Sequence, residues 1–188
     1  MPRPERTGPG GESEGNANLG WLAQPQLFNA RLATTEEVPK EYSHWVHLQT
    51  SMTEAIANQF VALPEVVVHY SGRCTLLDWE ARLLSDATAT RKSATARHIS
   101  LLADGEPVMV ARSVVLAASA IEEVLTSLQS TPLGTMLFED GRWQRISQPL
   151  PLIARSTLIG RACTWRHLPT SETLAVEEFF LPALLPHR

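Results

Sequence analysis

The chain has 188 residues, 44% of them hydrophobic and 19% charged, with a formal net charge of −4. That length supports one domain with a substantial core, and the acidic balance argues against a general nucleic-acid binder. No apolar run approaches the ~20 residues that a bilayer-spanning helix needs, and two cysteines, Cys74 and Cys163, give neither a metal spacing nor a disulfide framework, so reduced thiols in the cytoplasm are expected.

Residues 1–20 are rich in Gly, Pro, Glu and Asn. They offer too little apolar surface to offset ordering entropy and read as a disordered tail without the apolar core of a secretory signal. The folded domain is expected over 21–188. "VPKEYSHWVHLQ" places Pro39 in a first helical turn, with Tyr42, Trp45, Val46 and Leu48 as its apolar positions. "SMTEAIANQF" follows, and Ser51 with Glu54 fits a capping box. "LPEVVVHYSGRCTLLDW" is β-branched with a Ser71-Gly72 turn signal, which predicts a hairpin. Asp104-Gly105 between two apolar runs predicts a second hairpin. "SAIEEVLTSLQ" carries another capping box, Ser119 with Glu122, and "TPLGTMLF" reads as a turn entering a short helix, with Gly134 marking special backbone. "RWQRISQPLPLIARSTLIGRACTWRHL" has strand character interrupted by Pro149 and Pro151, and "TLAVEEFFL" reads as a closing strand. Hairpins dominate and long helix–strand crossovers are absent. The expected fold class is α+β, an antiparallel sheet with a few short helices.

Side chains alternate faces along a strand. Before the Asp104-Gly105 turn, Arg97, Ile99, Leu101 and Ala103 share one face, and His98, Ser100 and Leu102 the other. The first set is apolar apart from Arg97, so its guanidinium is expected to point inward. A buried guanidinium stays charged and needs an anion, from the protein or from a ligand. In the last strand Leu174, Val176, Glu178 and Phe180 share one face, and Ala175, Glu177, Phe179 and Leu181 the other, so a glutamate lies inside either way. A structural ion pair explains two such buried charges. The alternative is that they hold the two ends of a small polar ligand, a task for which arginine's bidentate fork suits a carboxylate. His44 and His47 have helical ligand spacing but no further metal ligand, and read as surface residues. Arg142, Arg145 and Arg155 read as solvated charges, and Met52 as a core or lid contact.

"LLADGEPVMVARSVV", then "STPLGTMLF", then "EEFFLP", with "SMTEAI" ahead of them, resemble the chorismate pyruvate-lyase family over roughly residues 38–184. The resemblance implies a sheet with a ligand cavity closed by helical flaps. It implies conversion of chorismate to 4-hydroxybenzoate and pyruvate, the first step of ubiquinone biosynthesis, with no metal or organic cofactor. It implies Arg97 on the ring carboxylate, the backbone N–H of Leu133 on the same group, Glu178 on the hydroxyl that becomes the phenol, and Met52 as a flap contact. Arg97 and Glu178 are the implied catalytic pair. Substrate and product are the expected partners of a monomer with neither nucleic acid nor stable membrane insertion. One departure concerns the penultimate strand. Where the family has an Arg-Arg-Ser type stretch this chain reads "LIGRACTW", keeping Arg161 but continuing with Ala162 and Cys163. The ligand-sensing UTRA domains of transcription regulators share the lyase fold, so a non-catalytic sensor is the alternative. Such domains normally follow a winged helix-turn-helix, and the segment before residue 38 is too short and too Gly-rich to be one.

Overall fold

The computed structural model describes residue 22 and residues 25–84, 93–154 and 157–185; the expected tail over 1–20, Trp21 and Arg155 lie outside them. Asp104 and Gly105 both hold positive φ, 51° and 79°. Such a two-residue turn matches the right-handed twist of its flanking strands, and it joins β3 (Ser93–Ala103) to β4 (Glu106–Leu116). Around this hairpin lie β1 (Ala30–Leu32), β2 (Glu65–Thr75), β5 (Trp143–Arg145), β6 (Leu150–Ala154), β7 (Ile159–His167) and β8 (Thr173–Phe180). The eight strands form one sheet in the order β1-β6-β7-β8-β4-β3-β2, with β5 also paired to β7. Every pairing is antiparallel. The helices are short: α1 (Lys40–His47), α2 (Met52–Phe60), α3 (Asp78–Leu83), α4 (Glu122–Ser127) and α5 (Leu133–Glu139). The architecture is the expected α+β domain.

Local chemistry places several elements as expected. The Ser51 hydroxyl accepts from the Glu54 N–H at the start of α2, one half of the expected capping box, and Pro39, expected in the first turn of α1, stands just ahead of it as the extended N-cap. Other expectations are corrected. Ser71-Gly72 is not a turn, because β2 runs unbroken through it, with Ser71 opposite Arg97 and Gly72 opposite Ala96. Gly72 instead makes room for the Tyr70 ring, whose hydroxyl oxygen would lie 3.3 Å from a Cβ there. Ser119 does not cap α4. The helix begins after Ile121, and the Glu122 carboxylate takes the Ala118 N–H and the Thr95 hydroxyl. Pro149 separates β5 from β6, but Pro151 is accommodated inside β6, where its carbonyl accepts from the Ala33 N–H.

Both faces of the central strands are buried, as expected for β8 but not for β3, where alternation gave a single apolar face. On the face opposite α2 and α5, the row Tyr70, His98, Arg112, Glu177, Ala162 crosses β2, β3, β4, β8 and β7. Glu80 of α3 meets it. Arg112 Nε donates to Glu80 Oε1 at 2.5 Å, its Nη2 to Oε2 at 3.2 Å, and its Nη1 to His98 Nε2 at 2.5 Å. Glu177 is fully buried, and burial together with the Glu80 charge raises its pKa well above the ordinary value, although Arg112 Nε lies 3.9 Å from its Oε1. Burial and the adjacent Arg112 lower the His98 pKa to about 4, so that ring is neutral. At the far edge of the face Gly160 allows β8 to approach, since a Cβ there would collide with the Glu178 carbonyl oxygen and the Phe179 ring.

Candidate active site

On the other face, two rows set the site. Ile99, Ala111, Glu178 and Arg161 stand opposite one another across β3, β4, β8 and β7, and Arg97, Ser113, Val176 and Cys163 form the next row. The helices α2 and α5 lie over these rows and enclose a cavity. The sheet contributes Ile99, Ala111, Ser113, Glu178 and Arg161 to its wall, and the helices contribute Met52, Leu133 and Leu137. The enclosed volume is about 40 Å³, room for a few waters. A cavity of ~150 Å³ is needed to hold benzene. A ring-sized ligand therefore needs more room than the cavity offers in this structure.

Those helices meet at Gly134, in the first turn of α5. A Cβ at that position would come within 2.8 Å of Ser51 Oγ and 3.2 Å of Thr53 Oγ1. Absence of a side chain, rather than unusual backbone, is what Gly134 supplies.

Arg97 is 2% exposed. Its Nη2 donates to the carbonyls of Gln129 and Thr131, at 2.5 and 3.1 Å, while Nε and Nη1 are buried with no partner. Among the described residues no carboxylate pairs with it. Burial lowers its pKa, with no anion to offset the desolvation. The side chain stands beside the cavity rather than in its wall. Its cross-strand partner Ser113 and the next residue on its face, Ile99, line the cavity, as do Pro132 and Leu133 after the Thr131 carbonyl it holds.

Glu178 does not pair with Arg97. It accepts from Arg161 Nε at 2.6 Å, while Arg161 Nη1 donates to the carbonyls of Leu48 and Trp45 at 2.5 and 3.4 Å. Burial opposes the Arg161 charge, but the Glu178 carboxylate outweighs it and the pKa is raised. The ion-pair reading thus holds for Glu178 with a different arginine, and leaves Arg97 alone. Arg145, expected in solvent, lines the cavity. The departure Ala162-Cys163 divides between faces: Ala162 lies opposite Glu177, and Cys163 lines the cavity with its thiol pushed up to about 11 by burial. A neutral thiol is a poor nucleophile. His44 and His47 are exposed on α1. Sequence reasoning missed Arg161 as Glu178's partner and Arg145 as a wall residue. The only available signal was that Arg161 shares a strand face with Cys163 and Trp165.

A family model for chorismate lyase matches residues 27–187. The probable chorismate pyruvate-lyase of an Azoarcus species is 35% identical over 88% of this chain and 92% of that protein. The probable chorismate pyruvate-lyase of Marinobacter nauticus is 29% identical over 79% of this chain and 80% of that protein. Among solved structures, the ligand-binding domain of a putative GntR-family transcriptional regulator from Bordetella bronchiseptica superposes with a TM-score of 0.45 at 12% identity, covering 66% of this chain and 86% of that one.

Proposed function

This chain belongs to the chorismate lyase family, and on that premise we propose that it converts chorismate to 4-hydroxybenzoate and pyruvate, as the first step of ubiquinone biosynthesis. The observation that carries the reading is the buried, anion-free Arg97 beside the cavity. Its Nε and Nη1 are left for a carboxylate. A buried cation with no anion beside it is costly unless a visiting one completes it.

The reaction breaks the bond between the ring and the enolpyruvyl oxygen. The hydrogen on the hydroxyl-bearing ring carbon leaves as a proton, its electron pair completes the aromatic ring, and the enol methylene carbon takes up a proton to give pyruvate. Aromatisation drives the change, so the protein's task is orientation and charge placement. Arg97 and the Leu133 N–H hold the ring carboxylate. Glu178, fixed by Arg161, accepts from the ring hydroxyl. Met52 and Leu133, on the two covering helices, exclude water.

Incubating the purified protein with chorismate, without added metal, is expected to release pyruvate and 4-hydroxybenzoate in equal amounts. Binding with no release would assign the chain to the sensor class instead. Glu178→Gln removes the charge from the acceptor and is expected to lower kcat/KM about 10- to 100-fold, the scale of a ~1.5–3 kcal/mol charged hydrogen bond. A loss under threefold in pyruvate release would remove Glu178 from the reacting end. Gly134→Ala wedges α5 away from Ser51 and Thr53. At an overpacking cost of ~1–3 kcal/mol, it is expected to weaken 4-hydroxybenzoate binding by about tenfold or more in a fluorescence titration. Unchanged affinity would mean that the two helices do not close over the ligand.

A further inference from the structure

We propose that Arg145 binds the second carboxylate of the substrate, the one on the enolpyruvyl group, and so separates the dianionic substrate from the monoanionic aromatic product. This rests on the reading above. A dianion enclosed away from water needs matching positive charge, or its desolvation is not offset. Among the described residues, the acidic and basic side chains in or beside the cavity are Arg97, Arg145, Arg161 and Glu178. Arg161 is neutralised by Glu178 and committed to two backbone carbonyls. Arg97 serves the ring carboxylate. That leaves one cation, Arg145, and one carboxylate.

The placement of Arg145 agrees. Its guanidinium carbon sits 5.8 Å from the centre of the Trp165 ring, which limits its range of motion. Its Nη2 donates to neutral acceptors, the Gln49 carbonyl at 3.0 Å and the Gln49 Oε1 at 2.6 Å, and its side chain also hydrogen-bonds the Cys163 thiol. Among the described residues no acidic side chain pairs with it. Arg145 lies on β5, against Trp165 of β7, whereas Arg97 lies on β3 at the other side of β4 and β8. The two anion-free cations therefore flank the Glu178–Arg161 pair. A substrate with its ring carboxylate at Arg97 and its hydroxyl at Glu178 would extend its remaining carboxylate toward β5. Arg145 is also half-buried rather than buried, so the fragment it holds lies toward solvent once the ring bond breaks. The simpler account is a brace. Gln49 precedes α2, and Arg145 would then only tether that helix.

Charge and brace give different results. Arg145→Gln is expected to raise the chorismate KM about 10- to 100-fold while leaving the inhibition constant of 4-hydroxybenzoate within twofold, because the product has lost the second carboxylate. Arg145→Lys should recover most of the KM. Gln49→Ala, which removes a tether and keeps the cation, should shift KM by less than threefold. A parallel rise in KM and inhibition constant, no change in either, or Gln49→Ala reproducing the defect would overturn the proposal. Wild-type protein that binds chorismate without releasing pyruvate would sink the lyase reading alone. Calorimetric titration of chorismate and of 4-hydroxybenzoate into wild type and Arg145→Gln would still read the selectivity, and equal loss for both ligands would sink the Arg145 assignment.

Discussion

Arg97→Ala is expected to lower kcat/KM for chorismate by about 10²- to 10³-fold and to weaken 4-hydroxybenzoate by a similar factor. The ring carboxylate would lose charge-assisted hydrogen bonds worth ~1.5–3 kcal/mol each. It would also be left unpaired in a site from which water is excluded. Substrate and product share this carboxylate, so both should suffer, unlike the response expected at Arg145. The same substitution frees the carbonyls of Gln129 and Thr131, which could loosen the approach to α5. Arg97→Lys separates the effects: it keeps a charge but not the fork, and is expected to remain folded while losing at least tenfold in product affinity. Steady-state pyruvate release and product titration measure these quantities. An Arg97→Ala protein with unchanged KM and product affinity would remove the arginine from the site.

The second large effect is one of stability. Arg112→Met is expected to cost about 3–5 kcal/mol in urea unfolding, the usual penalty for breaking a buried pair and stranding one charge. Arg112 is 4% exposed and is the bidentate partner of a fully buried Glu80 carboxylate. Besides Arg112, Glu80 has the Leu77 N–H at 2.6 Å and the Glu177 side chain as hydrogen-bond partners, and neither brings the positive charge that balances its carboxylate. Adding Glu80→Gln to Arg112→Met removes the stranded charge and should restore a large part of the loss. A cost below about 1 kcal/mol for Arg112→Met would mean that the cluster is not energetically paired. Since this network lies on the sheet face away from the cavity, any change in KM should be small beside the change in stability.

Several features were legible because they are local. Asp104-Gly105 demands positive φ at both positions whatever surrounds it. Ser51 caps α2 through a residue three positions on. Alternation put Arg97 with Ile99 and Leu101, and Glu178 with Val176, as the sheet has them. Where local signals failed, a distant strand overrode them: Ser71-Gly72 continues straight because β3 pairs with β2 along its length.

By itself the sequence determined which side chains share a face within each strand, where the central hairpin turns and where α1 and α2 begin, since all of these depend on residues a few positions apart. Only the tertiary structure decided that Glu178 meets Arg161 rather than Arg97, that Arg145 borders the cavity, and that Glu80, Arg112 and Glu177 form one buried cluster. Those outcomes follow from the order and register of strands separated by long stretches of chain. Alternation gives a charge its face but not its neighbour, and for a buried charge the neighbour sets the energy.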